Sequence, residues 1–282
     1  MSIISVMFGH TLALLREHGI RLSKRAGQHQ VIDPTVLERM IDYAKLSRDD
    51  VVLEIGPGTG NLTLSLAQRA GKVIAVERDS RFMKILKQRL DDCSNVELIC
   101  GDALRVEFPK FNKVVANLPY GISSDITFRL LDHDFVLAVL MYQREFAERL
   151  VANPGSENYS RLTVNVYYRA SVELLDEVPP AAFVPQPEVT SSIVKLKPWR
   201  PPFKVANESL FFRVVRALFQ HRRQRVRNAL NRSFEEVFQK RPSKAERRAI
   251  IDQKLPKELA EAHVVELEPE KFGEIANILA VT

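Results

Sequence analysis

Apolar positions follow two rhythms along this chain, and the change between them marks its organisation. Between about residues 34 and 151, short continuous apolar runs alternate with stretches whose apolar residues recur at helical spacing. The runs at 51–55, 72–76, 96–100, 113–116 and 136–141 read as buried strands. The stretches at 34–43, 62–69, 80–90, 123–131 and 144–151 read as helices, the first with Asp33 as N-cap and Pro34 in its first turn. Short apolar strands alternating with amphipathic helices predict an α/β fold, a parallel sheet covered by helices on both faces. Two later strands are expected at 163–169 and 192–196, with a different linkage that lets them close the sheet antiparallel.

The proline-rich stretch 197–202 reads as a linker, and beyond it strand signals vanish. Two domains are therefore expected: residues 1–197 carrying the sheet and residues 198–282 forming a small all-α domain. With 282 residues and 45% apolar content, the chain can bury one large core and a smaller second one. No apolar run approaches the ~20 residues of a membrane span. The opening 15 residues lack a basic n-region and a small-residue cleavage site. Only Cys93 and Cys100 occur, without a CxxC pair or clustered histidines, so no metal site is expected and a reducing cytoplasm fits best.

Charge is unevenly distributed. The formal net charge is +6, yet residues 198–250 alone hold fourteen Lys and Arg against four Glu. The densest part, with Arg222, Arg223, Arg225 and Arg227, follows apolar positions at helical spacing (Val214, Val215, Leu218, Phe219). It reads as an unpaired basic helix face suited to phosphates, although a solvated helix face has the same composition.

Candidate chemistry gathers where strands end. The first strand runs into Glu54-Ile55-Gly56-Pro57-Gly58-Thr59-Gly60, a glycine loop before a helix, where backbone can approach a ligand closely. Its GxGxG spacing is one residue shorter than the dinucleotide fingerprint, and a tight structural turn can have the same sequence. Glu77 follows at the end of the second strand, placed to bind a ribose diol, and Asp102 follows the third, placed to accept from an adenine amino group. With little basic content around the loop, an uncharged nucleoside tail suits it better than a diphosphate. The fourth strand ends in Asn117-Leu118-Pro119-Tyr120. An amide oxygen and backbone carbonyls accept from an exocyclic amine, and a tyrosine face stacks on a base. An ordinary proline turn after a strand is the alternative.

These residues together resemble motifs I to IV of S-adenosylmethionine-dependent methyltransferases acting on N6 of adenine. The stretch Phe183-Val184-Pro185-Gln186-Pro187-Glu188-Val189-Thr190-Ser191 and the arginine-rich run from Phe219 to Leu230 are similar to signatures of the small-subunit ribosomal RNA adenine dimethyltransferases. The resemblance runs from about Leu22 onward and implies a class I, Rossmann-like methyltransferase sheet. It implies Gln28, His29, Glu54, Gly56, Gly58, Gly60, Glu77, Asp102 and Asn117 as donor-binding residues. It also implies Asn117, Leu118, Pro119 and Tyr120 as the catalytic clamp, and the four arginines as RNA contacts. The implied reaction is dimethylation of N6 on two adjacent adenosines in the 3′-terminal hairpin loop of small-subunit ribosomal RNA. The expected partner is that RNA in an immature subunit, and the protein is expected to be monomeric and cytoplasmic. The alternatives are an assembly factor with reduced catalysis or a large-subunit RNA methyltransferase; the glycine spacing disfavours a nicotinamide dehydrogenase. In one place the chain departs from the family pattern. Gln30 and Val31 stand where Phe-Leu is usual after Gly27-Gln28-His29, so a polar group replaces an apolar wall.

Overall fold

Residues 51–55 are apolar at positions facing both sides of the pleat, so this segment is stable only with both sheet faces covered. The computed structural model describes residues 3–23 and 27–280 and shows that arrangement. In chain order the strands are β1 (Gln30–Val31), β2 (Val51–Ile55), β3 (Lys72–Glu77), β4 (Val96–Cys100), β5 (Lys113–Asn117), β6 (Leu137–Gln143), β7 (Ala170–Val178), β8 (Phe183–Val184) and β9 (Ser191–Pro198). Seven of them form one sheet in the order β4-β3-β2-β5-β6-β9-β7, and β1 pairs with β8 in a separate two-stranded ribbon. The strands β2 to β6 are parallel where they pair, and β9 is antiparallel to β6. Ile55 lies opposite Val76, Glu77 opposite Cys100 and Asn117 opposite Met141, so the carboxyl ends of these strands share one edge.

Helices α1 (Ile3–Glu17), α2 (Pro34–Ala44), α3 (Asn61–Arg69), α4 (Ser80–Arg89), α5 (Ser123–Leu131) and α6 (Arg144–Leu150) lie between or before these strands. Asp33 caps α2 by accepting the Thr35 N–H, and the buried stripe of that helix (Val36, Leu37, Met40, Ile41) packs into the sheet core with Val52, Val115 and Val139. The fold is therefore the α/β sheet that the periodicity predicts.

Residues 163–169 are the exception. They lie in α7 (Arg161–Arg169), not in a strand. Leu162, Val164, Val166 and Tyr168 alternate with polar residues in a strand-like rhythm, and all four are buried. Local capping decides for the helix: the Thr163 hydroxyl accepts the Ser160 N–H at 3.1 Å and donates to the Arg149 carbonyl at 2.6 Å.

The chain divides into two compact units, one of Met1–Ala147 and Ser171–Pro198, the other of Glu148–Ala170 and Trp199–Thr282. The sequence pattern assigned 148–170 to the first domain; these residues instead complete the core of the second unit. That core also holds α8 (Glu208–Phe219), α9 (Val226–Arg232) and the later helices α10 (Phe234–Phe238), α11 (Lys244–Lys254), α12 (Lys257–Glu261) and α13 (Pro269–Ala280). Tyr159, Phe211, Phe234 and Phe272 are fully buried in it, and the Tyr168 ring lies 4.8 Å from that of Phe211. The buried Tyr159 hydroxyl donates to the Leu267 carbonyl at 2.7 Å. Tyr159→Phe leaves that carbonyl without its donor, and denaturant unfolding is expected to show a loss of about 1–2 kcal/mol.

Candidate active site

The shared carboxyl edge of β2, β3 and β5 opens into a cavity of about 290 Å³. Its wall includes Glu54, Gly56, Gly58, Glu77, Asp102 and Asn117, six residues that sequence reasoning placed there, together with Gln28 and His29. Gly60 completes the loop as the residue before α3. Leu118 is buried behind the wall, and Tyr120 stands outside it.

The loop after β2 turns through Gly56, Gly58 and Gly60, whose φ angles are 69°, 57° and 83°. A residue with a β-carbon is strained in this region, and at Gly56 a β-carbon would also press on the Pro119 ring at 3.3 Å. The glycine loop and the Asn-Leu-Pro-Tyr segment are thus in direct contact.

Three carboxylates at this edge differ in environment. Glu77 Oε2 accepts the Gly58 N–H at 3.1 Å and Oε1 accepts the Asp79 N–H at 2.8 Å. Each oxygen keeps a second lone pair, while burial raises its pKa against the lowering effect of those two amides. Asp102 is only half-buried, and its Oδ1 accepts the Leu104 N–H at 2.9 Å. Glu54 is fully enclosed, with Oε2 lacking a partner; burial, with Glu77 adding repulsion, pushes its pKa up to about 8.

On the opposite wall, residues 27–31 cross the strand ends. Asn117 Nδ2 donates to the His29 carbonyl at 2.9 Å, and Oδ1 has no donor among the described residues. His29 Nδ1 lies 2.7 Å from the Pro185 carbonyl, an acceptor only, so Nδ1 carries the proton. Gln28 Oε1 accepts the Ser23 N–H at 3.0 Å. The Tyr120 ring lies 5.3 Å from that of His29, tilted by 30°, and its hydroxyl is 2.6 Å from the hydroxyl of Ser191. Ser191 closes the stretch that begins at Phe183, so this segment props the tyrosine from behind. Burial raises the Tyr120 pKa, keeping it a neutral phenol.

The basic run is placed differently from the sequence expectation. Residues 220–225 form a turn between α8 and α9 rather than a helix. The arginines are not uniformly unpaired. Arg225 and Arg227 both contact Glu261, the latter at 2.6 Å, and Arg222 donates to the Glu157 and Ser156 carbonyls at 2.9 and 3.1 Å. Arg223 is exposed.

The family model described as "Ribosomal RNA adenine dimethylase" matches residues 19–268. The chain belongs to the ribosomal RNA adenine dimethylase family. A probable ribosomal RNA small subunit methyltransferase A from Methanothermobacter thermautotrophicus is 48% identical, covering 97% of each chain. A protein of the same description from Methanosarcina mazei is 48% identical over 89% of this chain and 91% of its own. Among solved structures, a dimethyladenosine transferase from Plasmodium falciparum superposes with a TM-score of 0.71 at 34% identity, covering 85% of this chain and 93% of that one. The 23S rRNA methyltransferase ErmE gives 0.64 at 28% identity, covering 89% and 99%.

The cavity of this adenine dimethylase also involves Asn61 and Arg89, which the sequence reading did not single out, and Gln30, which it noted only as a departure from the family pattern. Gln30 and Asn61 line the cavity, and Arg89 Nη1 donates to the Thr59 carbonyl at 2.6 Å and to Asn61 Oδ1 at 2.7 Å. Arg89 reads in the sequence only as the basic last turn of a helix, so nothing but the packing of α4 against the loop reveals it.

Glu54 generates a pH prediction. Its folded pKa lies above the ordinary glutamate value of about 4.5, so between about pH 4.5 and 8 the ligand-free folded protein holds a proton that the unfolded chain has released. Stability then falls as pH rises through that window, by up to about 1.4 kcal/mol per pH unit. Glu54→Gln removes this slope, and its stability advantage over the native chain in urea unfolding is expected to widen from pH 5 to pH 8. Parallel profiles would show that the carboxyl is charged throughout.

Proposed function

We propose that this protein transfers methyl groups from S-adenosylmethionine to N6 of two adjacent adenosines in the 3′-terminal hairpin loop of small-subunit ribosomal RNA, acting on an immature subunit in the cytoplasm. The observation that carries the reading is the orientation of Asn117: with Nδ2 held by the His29 carbonyl, Oδ1 is the acceptor left for an incoming N–H. The donor set fits the cavity. The unpartnered Glu54 carboxyl suits the α-ammonium of the donor, Glu77 the ribose hydroxyls, and Asp102 the adenine amine, while Gly56, Gly58 and Gly60 let backbone approach. When bound, S-adenosylmethionine supplies an electrophilic methyl on a positively charged sulfur, whose transfer leaves a neutral thioether.

The protein's task is positioning more than acid–base work. Asn117 Oδ1 and the Leu118 carbonyl accept N6–H bonds and turn the nitrogen lone pair out of conjugation with the ring. Pro119 fixes the turn from Leu118 into Tyr120, and Tyr120 offers its face to the flipped base. The amine proton leaves to water. Because one N–H remains after the first transfer, the same acceptor holds the monomethylated base for the second.

RNA contact by Arg222, Arg223, Arg225 and Arg227 completes the reading. For Arg225 and Arg227, phosphate has to replace Glu261; Arg223 is exposed and ready.

Asn117→Ala is expected to lower methyl transfer by roughly 10²-fold or more in a tritiated-donor assay at saturating donor. Primer extension on treated subunits should lose its stop at the paired adenosines, and near-native transfer would remove Asn117 from the mechanism. Arg223→Ala should reduce the salt slope of subunit binding by about one; an unchanged slope places the RNA elsewhere.

A further inference from the structure

The glycine loop is held from two sides. Glu77 takes the Gly58 N–H, and Gln30 Oε1 accepts both the adjacent Thr59 N–H, at 2.9 Å, and the Thr59 hydroxyl, at 3.2 Å. An N–H needs an acceptor, so these bonds fix the Gln30 amide with its oxygen on Thr59. The amide also lies directly over Gly58: a β-carbon there would fall 2.2 Å from Oε1 and 2.4 Å from Nε2. The neighbouring residue is tied to the loop as well, since Asn61 Nδ2 donates to the Val31 carbonyl at 2.8 Å. One residue earlier, the His29 carbonyl receives Asn117. Residues 29–31 therefore bridge the loop and the clamp, with Gln30 as the side chain that grips the loop.

We propose that Gln30 is a positioning residue of the donor site, its amide oxygen holding the Gly58–Thr59 turn in the form that binds the donor. The inference rests on reading the glycine loop as the donor loop. Thr59 is fully buried, so its N–H has no water to turn to if Gln30 is removed. A loop with three glycines at positive φ has little preference of its own for one conformation. Affinity falls in proportion to the time the loop spends in other conformations. The polar residue that departs from the family pattern is thus not a defect in an apolar wall. It supplies an acceptor that a phenylalanine cannot.

The test uses the full chain with S-adenosylmethionine, comparing the native protein with Gln30→Met, which matches glutamine in length and lacks the acceptor. Calorimetry is expected to show the donor Kd raised roughly tenfold, with kcat at saturating donor within about threefold of native. Hydrogen–deuterium exchange across residues 56–61 should quicken in the donor-free variant, while other sheet segments exchange as before. Gly58→Ala gives an independent check, because its β-carbon displaces the same amide. Gly58→Ala adds backbone strain of its own, but the Gln30 contact is already lost in it, so the double variant should bind donor no more than about threefold more weakly than Gly58→Ala alone. Native donor binding with an unaltered Kd in Gln30→Met, or fully multiplicative losses in the double variant, overturns the inference and leaves the donor-loop reading intact. Failure of the native chain to bind donor overturns both.

Discussion

A buried backbone N–H must find an acceptor, and the carboxyl edge of this sheet is organised around that requirement. The loop after β2 has to turn sharply enough to leave room for a ligand, which exposes successive amides that no strand can satisfy. Glu77 takes the Gly58 N–H, and Gln30 takes that of Thr59. The acceptors come from segments far apart in sequence, so satisfying the loop fixes β3 and the 29–31 segment against it. Asn117 is fixed in turn, through the carbonyl of His29. One short turn thus determines where both reacting partners would lie.

The three acidic residues at this edge show how one residue type serves different purposes. Glu77 is pinned by two amides with lone pairs to spare, and Asp102 is oriented by one amide in a half-buried setting. Glu54 is buried on the cavity wall without a partner for Oε2, which makes its charged form costly. Such a carboxyl lowers stability at neutral pH in the ligand-free protein.

The second unit follows a plainer logic. Its core is aromatic, and Tyr159 and Tyr168 bring the 148–170 segment into it. The arginine run is placed by that packing: Arg222 reaches two carbonyls of the segment, and Glu261 gathers Arg225 and Arg227. A count of positive residues overstates how many are ready for phosphate.

The α/β sheet and its strand ends were legible in the sequence, because buried parallel strands are continuous apolar runs and Glu77, Asp102 and Asn117 lie at or just past the end of one. The glycine spacing was legible for the same local reason, since positive φ is a property of single residues. Residues 163–169 misled because alternation at 162, 164, 166 and 168 is a strand pattern; in the helix these residues fall on two opposite sides, both buried, and only the Thr163 cap and the second core decide. The pairing of the arginines with Glu261, the reach of Arg89 to Thr59 and the grip of Gln30 on the glycine loop lay beyond the sequence. Each joins residues about thirty or more positions apart, and no local pattern encodes such a bond. The sequence by itself determined which chemical groups stand at the sheet edge; the tertiary structure decided which of them are free to act, because freedom depends on what else has already claimed their hydrogen bonds.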